Sequence, residues 1–212
     1  MKVFDRFRKR EKEEKQAKGN KKQAGDERKE YLFKITLLGD GAVGKTSLRK
    51  RYMGQGFTTQ HLMTIGADFA ILEKEIEGHK LTWQIWDLAG QESFKKVRSM
   101  YYKGCFGALL VFDMTRRSSF ENLDIWLKEL YRHSGRGKVP VIVLANKADL
   151  ADQREVTPEE AMEYVAKLQK SVVKEGIEVK YLETSALTGL NVEEAFNMLG
   201  ESIMKHLRAR KG

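Results

Sequence analysis

The chain has a single cysteine, Cys105, in 212 residues. An intramolecular disulfide is therefore excluded, and one thiol fits a reducing compartment. Its four histidines are scattered and offer no zinc-ligand spacing with that cysteine, so any metal should be a hard ion held by oxygen. No apolar run approaches the ~18 residues of a membrane span. Nor does a charged n-region with an apolar h-region mark a secretory signal. Concentrated charge is also lacking over most of the length. The net charge is +9, yet residues 1–30 hold 12 Lys and Arg against 7 Asp and Glu, and Lys205, Arg208, Arg210 and Lys211 cluster near the other end. Basic ends around a near-balanced middle predict solvated tails or membrane-surface contacts, not a groove for nucleic acid.

The length suits one domain, at about 100–200 residues per domain. Residues 1–30 form a basic, polar extension. Within it Met1, Val3, Phe4 and Phe7 share one helical face, which predicts a short amphipathic helix over 1–10 that could touch an anionic membrane. Residues 11–30 are too polar to pack and read as a spacer. Residues 31–208 carry the domain proper, and 209–212 a basic tail.

From Tyr31 onward, strand-like apolar runs alternate with helical patterns, the mark of a largely parallel sheet covered on both faces. Six strands are expected: 32–38, 67–76, 81–87, 108–112, 139–145 and 179–183. The second and third are separated by Glu77-Gly78-His79-Lys80, a hairpin signal that makes one edge antiparallel. Helices are predicted from Ser47 to Met53, over the stripe Phe120, Leu123, Leu127 and Leu130, and after the capping box Thr157-Pro158-Glu159-Glu160. A last helix, capped by Asn191, carries Val192, Ala195, Phe196, Leu199, Ile203 and Leu207. These stripes are core.

Between the first strand and the first helix stands Gly39-Asp40-Gly41-Ala42-Val43-Gly44-Lys45-Thr46, the pattern G-x-x-x-x-G-K-[ST] in its strand–loop–helix setting. Glycines let successive N–H groups turn toward phosphate oxygens, and the following helix adds the positive end of its dipole. Lys45 would reach the β- and γ-phosphates as a mobile charge, and the Thr46 hydroxyl would ligate Mg²⁺. Ligands of such sheets bind outside the carboxyl ends of the strands, where the other motifs also fall. Asp87, in Trp86-Asp87-Leu88-Ala89-Gly90-Gln91-Glu92, suits a second Mg²⁺ carboxylate acting through water. Gly90 can offer its N–H to a γ-phosphate, and Gln91 can orient water in line with the phosphorus. In Asn146-Lys147-Ala148-Asp149, the Asp149 carboxylate can accept from guanine N1–H and the 2-amino group, whereas adenine would leave it unpaired. The Lys147 stem can lie over the base. In Thr184-Ser185-Ala186-Leu187, the Ala186 N–H can donate to guanine O6.

On these motifs the chain resembles the Ras superfamily of small GTPases and, through Ile65-Gly66-Ala67-Asp68-Phe69, Trp86–Glu92 and Tyr101-Tyr102-Lys103-Gly104-Cys105, its Rab branch. The resemblance covers residues 31–208 and implies GTP or GDP with Mg²⁺ as ligands. It implies that Thr64 contacts Mg²⁺ and the γ-phosphate, and that Phe57 packs on guanine. The expected nucleotide contacts are thus Gly39, Asp40, Gly41, Ala42, Val43, Gly44, Lys45, Thr46, Ser47, Phe57, Thr64, Gly90, Asn146, Lys147, Asp149, Ser185, Ala186 and Leu187. The metal set is Thr46, Thr64 and Asp87, and the hydrolytic set Gln91, Lys45, Gly90 and Thr64. Effectors, an exchange factor and an activating protein are expected on residues 57–69 and 88–103, with Phe69, Trp86 and Tyr101 as an apolar triad that partners read. A monomer in the cytoplasm is expected, touching a membrane through 1–10 and the basic C-terminus.

Three departures stand out. The residues 208–212 hold no cysteine to prenylate, and Lys2 stands where myristoylation needs Gly, so the lipid anchor usual for the branch is not expected. The stretch from Asn146 to Ser185 is longer than usual, the excess falling in the helix after Pro158 and near Lys174-Glu175-Gly176. Leu88 and Ser93 replace the usual Thr and Arg, which bears on partner choice. No arginine occurs in 57–64, and such a group is worth about 10³–10⁵ in rate, so slow intrinsic turnover is expected. A GTP-binding scaffold with little hydrolysis, and a phosphate-loop ATPase or small-molecule kinase, are the readings to be set against a switch.

Overall fold

The computed structural model describes residues 29–56 and 63–210. The amphipathic stretch 1–10, most of the spacer, Phe57 and the last two tail residues lie outside these. Six strands make one sheet in the order β2-β3-β1-β4-β5-β6. Strand β1 spans Glu30–Leu38, β2 Ala67–Ile76, β3 His79–Leu88, β4 Gly107–Asp113, β5 Val141–Asn146 and β6 Val179–Thr184. All neighbours pair in parallel except β2 and β3, as the alternation of patterns predicts. The β2–β3 turn is tighter than expected. Only Glu77 and Gly78 lie outside the strands, at φ 49° and 74°, and two consecutive positive φ values match the right-handed twist of a hairpin. His79 and Lys80 already belong to β3.

Strands β4 and β5 are buried at every position, which is why their sequences are unbroken apolar runs and not alternating ones. Helices cover both faces. Helices α1 (Lys45–Tyr52) and α6 (Val192–Ala209) close over Phe33, Ile35, Leu37, Trp83, Leu109 and Val111. On the other face, α2 (Lys95–Tyr102), the short α3 (Arg117–Glu121), α4 (Leu123–His133) and α5 (Pro158–Val172) enclose Leu38, Leu110, Phe112, Val143 and Ala145. The stripe Phe120–Leu130 is divided at Asn122 between α3 and α4.

Two helix starts differ in kind. At α5 the capping box forms in full: the Thr157 hydroxyl accepts from the Glu160 N–H, and the Glu160 carboxylate accepts from the Thr157 N–H. At α6 the expected Asn191 side-chain cap is absent. Asn191 sits at φ 53°, and its amide donates instead to the Glu183 carbonyl at 2.9 Å, tying the helix start to the end of β6. Asn tolerates that backbone region, which is what the turn requires of it.

Candidate functional site

Because β1, β3, β4, β5 and β6 run parallel, their carboxyl ends open on one edge, and the motif loops meet there. The loop after β1 bends back at Gly44, at φ 97°, where an added Cβ would lie 2.2 Å from the Asn146 amide nitrogen. Asn146 occupies that space for a reason. Its Nδ2 donates to the Val43 carbonyl at 2.8 Å while its Oδ1 accepts from the Thr184 hydroxyl at 3.2 Å. It ties the phosphate loop to the ends of β5 and β6 and also lines the cavity described next. Val43 itself is core, and α1 begins at Lys45, two residues earlier than its pattern suggests.

A cavity of about 420 Å³ lies beneath this loop, within the range of about 300–1,000 Å³ usual for small-ligand sites. At one end are Asn146, Lys147, Asp149, Ala186 and Leu187, and at the other Gly41, Thr64, Gly90 and Gln91, with Ala42, Gly44, Lys45, Thr46 and Ser47 along the wall. Met63, Leu88 and Leu150 also line it, none of them among the expected nucleotide contacts.

Lys45 is tethered to the loop that precedes it. Its Nζ donates to the carbonyls of Gly39 and Asp40, both at 2.7 Å, and the residue is 6% exposed. Burial lowers its ammonium to about 8, against the attraction of Asp87 and Asp40. Next to it, hard oxygens converge. The Thr46 hydroxyl lies 3.0 Å from that of Thr64 and donates to Asp87 Oδ2, which Thr64 approaches at 3.5 Å. Asp87 is fully buried, and its Oδ1 has no hydrogen-bond partner. Burial pushes its carboxyl up, opposed by the Thr46 hydroxyl and the Lys45 ammonium. Two hydroxyls and a carboxylate with an orphaned oxygen suit Mg²⁺, which prefers few protein oxygens and completes its shell with water and phosphate. A glycine-turned cradle with inward N–H groups suits the phosphates themselves.

The other end suits a base. Asp149 Oδ1 accepts from the Ser185 hydroxyl, which orients the carboxylate. The Lys147 ammonium is drawn 2.6 Å from Asp113 Oδ2, so its stem is held along the cavity wall. Asp40 points elsewhere: its two oxygens accept from Asn122 Nδ2 and Trp126 Nε1, both at 2.8 Å, anchoring the loop to α4. Gly90 packs so close to the loop that a Cβ there would stand 2.3 Å from Asp40 C and Gly41 N. The Gln91 amide donates to the Met63 sulfur at 3.0 Å.

Behind Gln91 stands Arg98, which no motif singled out. It is 1% exposed, donates to the Gln91 carbonyl at 2.6 Å and the Ala89 carbonyl at 3.3 Å, and pairs with Glu129. Its guanidinium also lies over the Trp126 ring. On the outer surface, Phe69, Trp86 and Tyr101 stack in sequence, each centroid 5.2 Å from the next, with Phe69 55% exposed. Cys105 is wholly buried between Thr36 and the Gly107 carbonyl.

A six-stranded sheet with this loop at its carboxyl edge and helices on both faces defines a phosphate-loop nucleoside triphosphatase. The chain belongs to the Ras family, whose model matches residues 34–205, and within it is a small GTPase of the Rab branch. It is similar to Ras-related protein Rab-8B of Homo sapiens, 41% identical over 181 residues, 85% of this chain and 83% of that protein. It is likewise similar to Ras-related protein RABA4b of Arabidopsis thaliana, 44% identical over 170 residues, 80% and 71% of the two chains. Ras-related protein Rab-13 of Mesocricetus auratus is 41% identical over 175 residues, 82% and 81%.

Proposed function

We propose that this GTPase is a slow switch: it binds GTP with Mg²⁺, hydrolyses it with water aligned by Gln91, and signals through the segments 57–69 and 88–103. The observation that carries this reading is the meeting of Thr46, Thr64 and Asp87 oxygens in a cavity whose far end holds Asp149. Thr46, Thr64 and Asp87 would hold the metal, which would supply charge neutralisation to the phosphates. Lys45 and the N–H groups of residues 41–47 would bind the phosphates, and Gly90 would offer its N–H to the terminal one. Asp149, Lys147, Ser185, Ala186 and Leu187 would bind guanine, with Phe57 beside them. Gln91 would orient the attacking water, and Thr64 and Gly90 would be released with the γ-phosphate. Effectors, an exchange factor and an activating protein that supplies an arginine are assigned to the two segments, and membrane contact to 1–10. A place in membrane traffic follows from the Rab relatives.

One observation favours a GTP-binding scaffold that hardly hydrolyses: the Gln91 amide is engaged by Met63. A single-turnover time course with the purified chain decides between them. A switch hydrolyses bound GTP within hours, and Gln91→Leu retains GTP binding while lowering hydrolysis. Undiminished hydrolysis in that variant removes Gln91 from the reaction. In competition binding, GTP should displace bound guanine nucleotide and ATP should not, a preference that Asp149→Ala abolishes.

A further inference from the structure

Beyond the Gly41–Gly90 wall of the nucleotide cavity lies a second cavity, lined by Asp40, Arg98, Arg116, Asn122 and Trp126. Arg116 enters it from the turn between β4 and α3. That turn is rigid: the Arg116 N–H donates to the Asp113 carbonyl at 3.0 Å, and its own carbonyl accepts from the Ser119 N–H and hydroxyl. The guanidinium donates to the Gly41 carbonyl at 2.7 Å. It makes no ion pair among the described residues, the Asp40 oxygens accept from Asn122 and Trp126, and its buried Nε has no partner. One full positive charge is thus committed to one loop carbonyl.

A planar trans peptide points its C=O and the following N–H in opposite directions. The peptide after Gly41 is trans. Its oxygen is held outward by Arg116, so its nitrogen, that of Ala42, faces the nucleotide cavity that Ala42 lines. That N–H makes no backbone hydrogen bond. Ala42 stands at φ 63°, a left-handed conformation that a residue with a Cβ holds only where its surroundings impose it. We propose that Arg116 is a positioning residue of the phosphate loop: from outside the site it fixes and polarises the Gly41–Ala42 peptide, so that the Ala42 N–H is aimed at the distal phosphates. Charge-assisted hydrogen bonds are roughly twice as strong as neutral ones, and a cation on the carbonyl makes the opposite N–H a better donor. Phosphate-loop arginines are usually sought on the mobile segments. This one acts through the backbone and needs no motion.

The inference rests on the guanine-nucleotide reading, and the experiment separates the two. Affinities of a non-hydrolysable GTP analogue, GDP and GMP are measured for the full chain, Arg116→Ala and Arg116→Lys, with Mg²⁺ present. Arg116→Ala should weaken the GTP analogue and GDP about tenfold and GMP less than twofold, because GMP lacks the distal phosphates. Arg116→Lys, which keeps a cationic donor, should recover most of the loss. The ³¹P resonance of the β-phosphate of bound GDP should move in Arg116→Ala and return in Arg116→Lys. Equal loss for all three ligands, or none, overturns the assignment while the parent reading stands. A wild-type chain that binds no guanine nucleotide overturns both.

Discussion

Lys45 shows what one side chain's surroundings change. Its ammonium is lowered from 10.5 to about 8 by burial, so between those values the unfolded chain holds a proton that the nucleotide-free fold releases. Stability of the nucleotide-free protein should therefore rise with pH across that window, and Lys45→Met should abolish the rise in urea denaturation curves. Phosphate binding should restore the charged form. At pH 8–9 nucleotide binding should take up a proton, read as a buffer-dependent enthalpy in calorimetry, and affinity should fall up to tenfold per unit above pH 8. The residue type announced a phosphate cation, but its tether to the Gly39 and Asp40 carbonyls depends on how the loop folds over it. Asn146 is a similar case. Its place in a four-residue motif suggests base recognition, and its bonds to Val43 and Thr184, 103 and 38 residues distant in the chain, add a structural tie that the motif does not reveal. Gly90 was legible as a glycine that must be small. What crowds it is the loop backbone itself.

At the scale of elements, magnitudes separate two kinds of polar contact. The Thr157 capping box is exposed, and Thr157→Ala should cost about 1 kcal/mol in urea unfolding. The pair between Arg98 on α2 and Glu129 on α4 is buried, with side chains 1% and 12% exposed, and Tyr102 donates to the same carboxylate. Glu129→Ala leaves a buried guanidinium uncompensated and should cost about 3–5 kcal/mol, whereas replacing Arg98 and Glu129 together by Met and Leu should recover most of it. A double mutant no better than the single would show that the cost does not come from an uncompensated charge. The capping box was visible locally, since four consecutive residues make it. The pair was not, because its members are 31 residues apart on helices that meet only in the folded chain. Asn191 stands at the N-cap position as its type suggests, but its left-handed backbone, at φ 53°, does not present the side-chain oxygen to the first turn, and the bond from its amide to the Glu183 carbonyl joins residues eight apart.

Over the whole molecule, ligand and fold are one equilibrium. Mg²⁺ and GDP bound only by the folded chain should raise stability by about 2.7 kcal/mol at a hundredfold excess over Kd. Removing the metal with EDTA should lower the melting temperature of the GDP-bound protein. A melting temperature indifferent to EDTA would count against the set Thr46, Thr64 and Asp87. Among the described residues no helix is long and apolar enough to cross a membrane. The linear chain by itself determined the six strands, the parallel sheet with one hairpin edge, the phosphate loop and the order of the nucleotide motifs. Hydrophobic period, turn residues and glycine spacing act over a few residues, and can be read there. Only the tertiary structure decided that Asp40 faces α4, that Arg98 backs Gln91, and that Arg116 grips the loop from outside. Those contacts join residues from distant strand ends, and packing the sheet is what brings them within hydrogen-bond range.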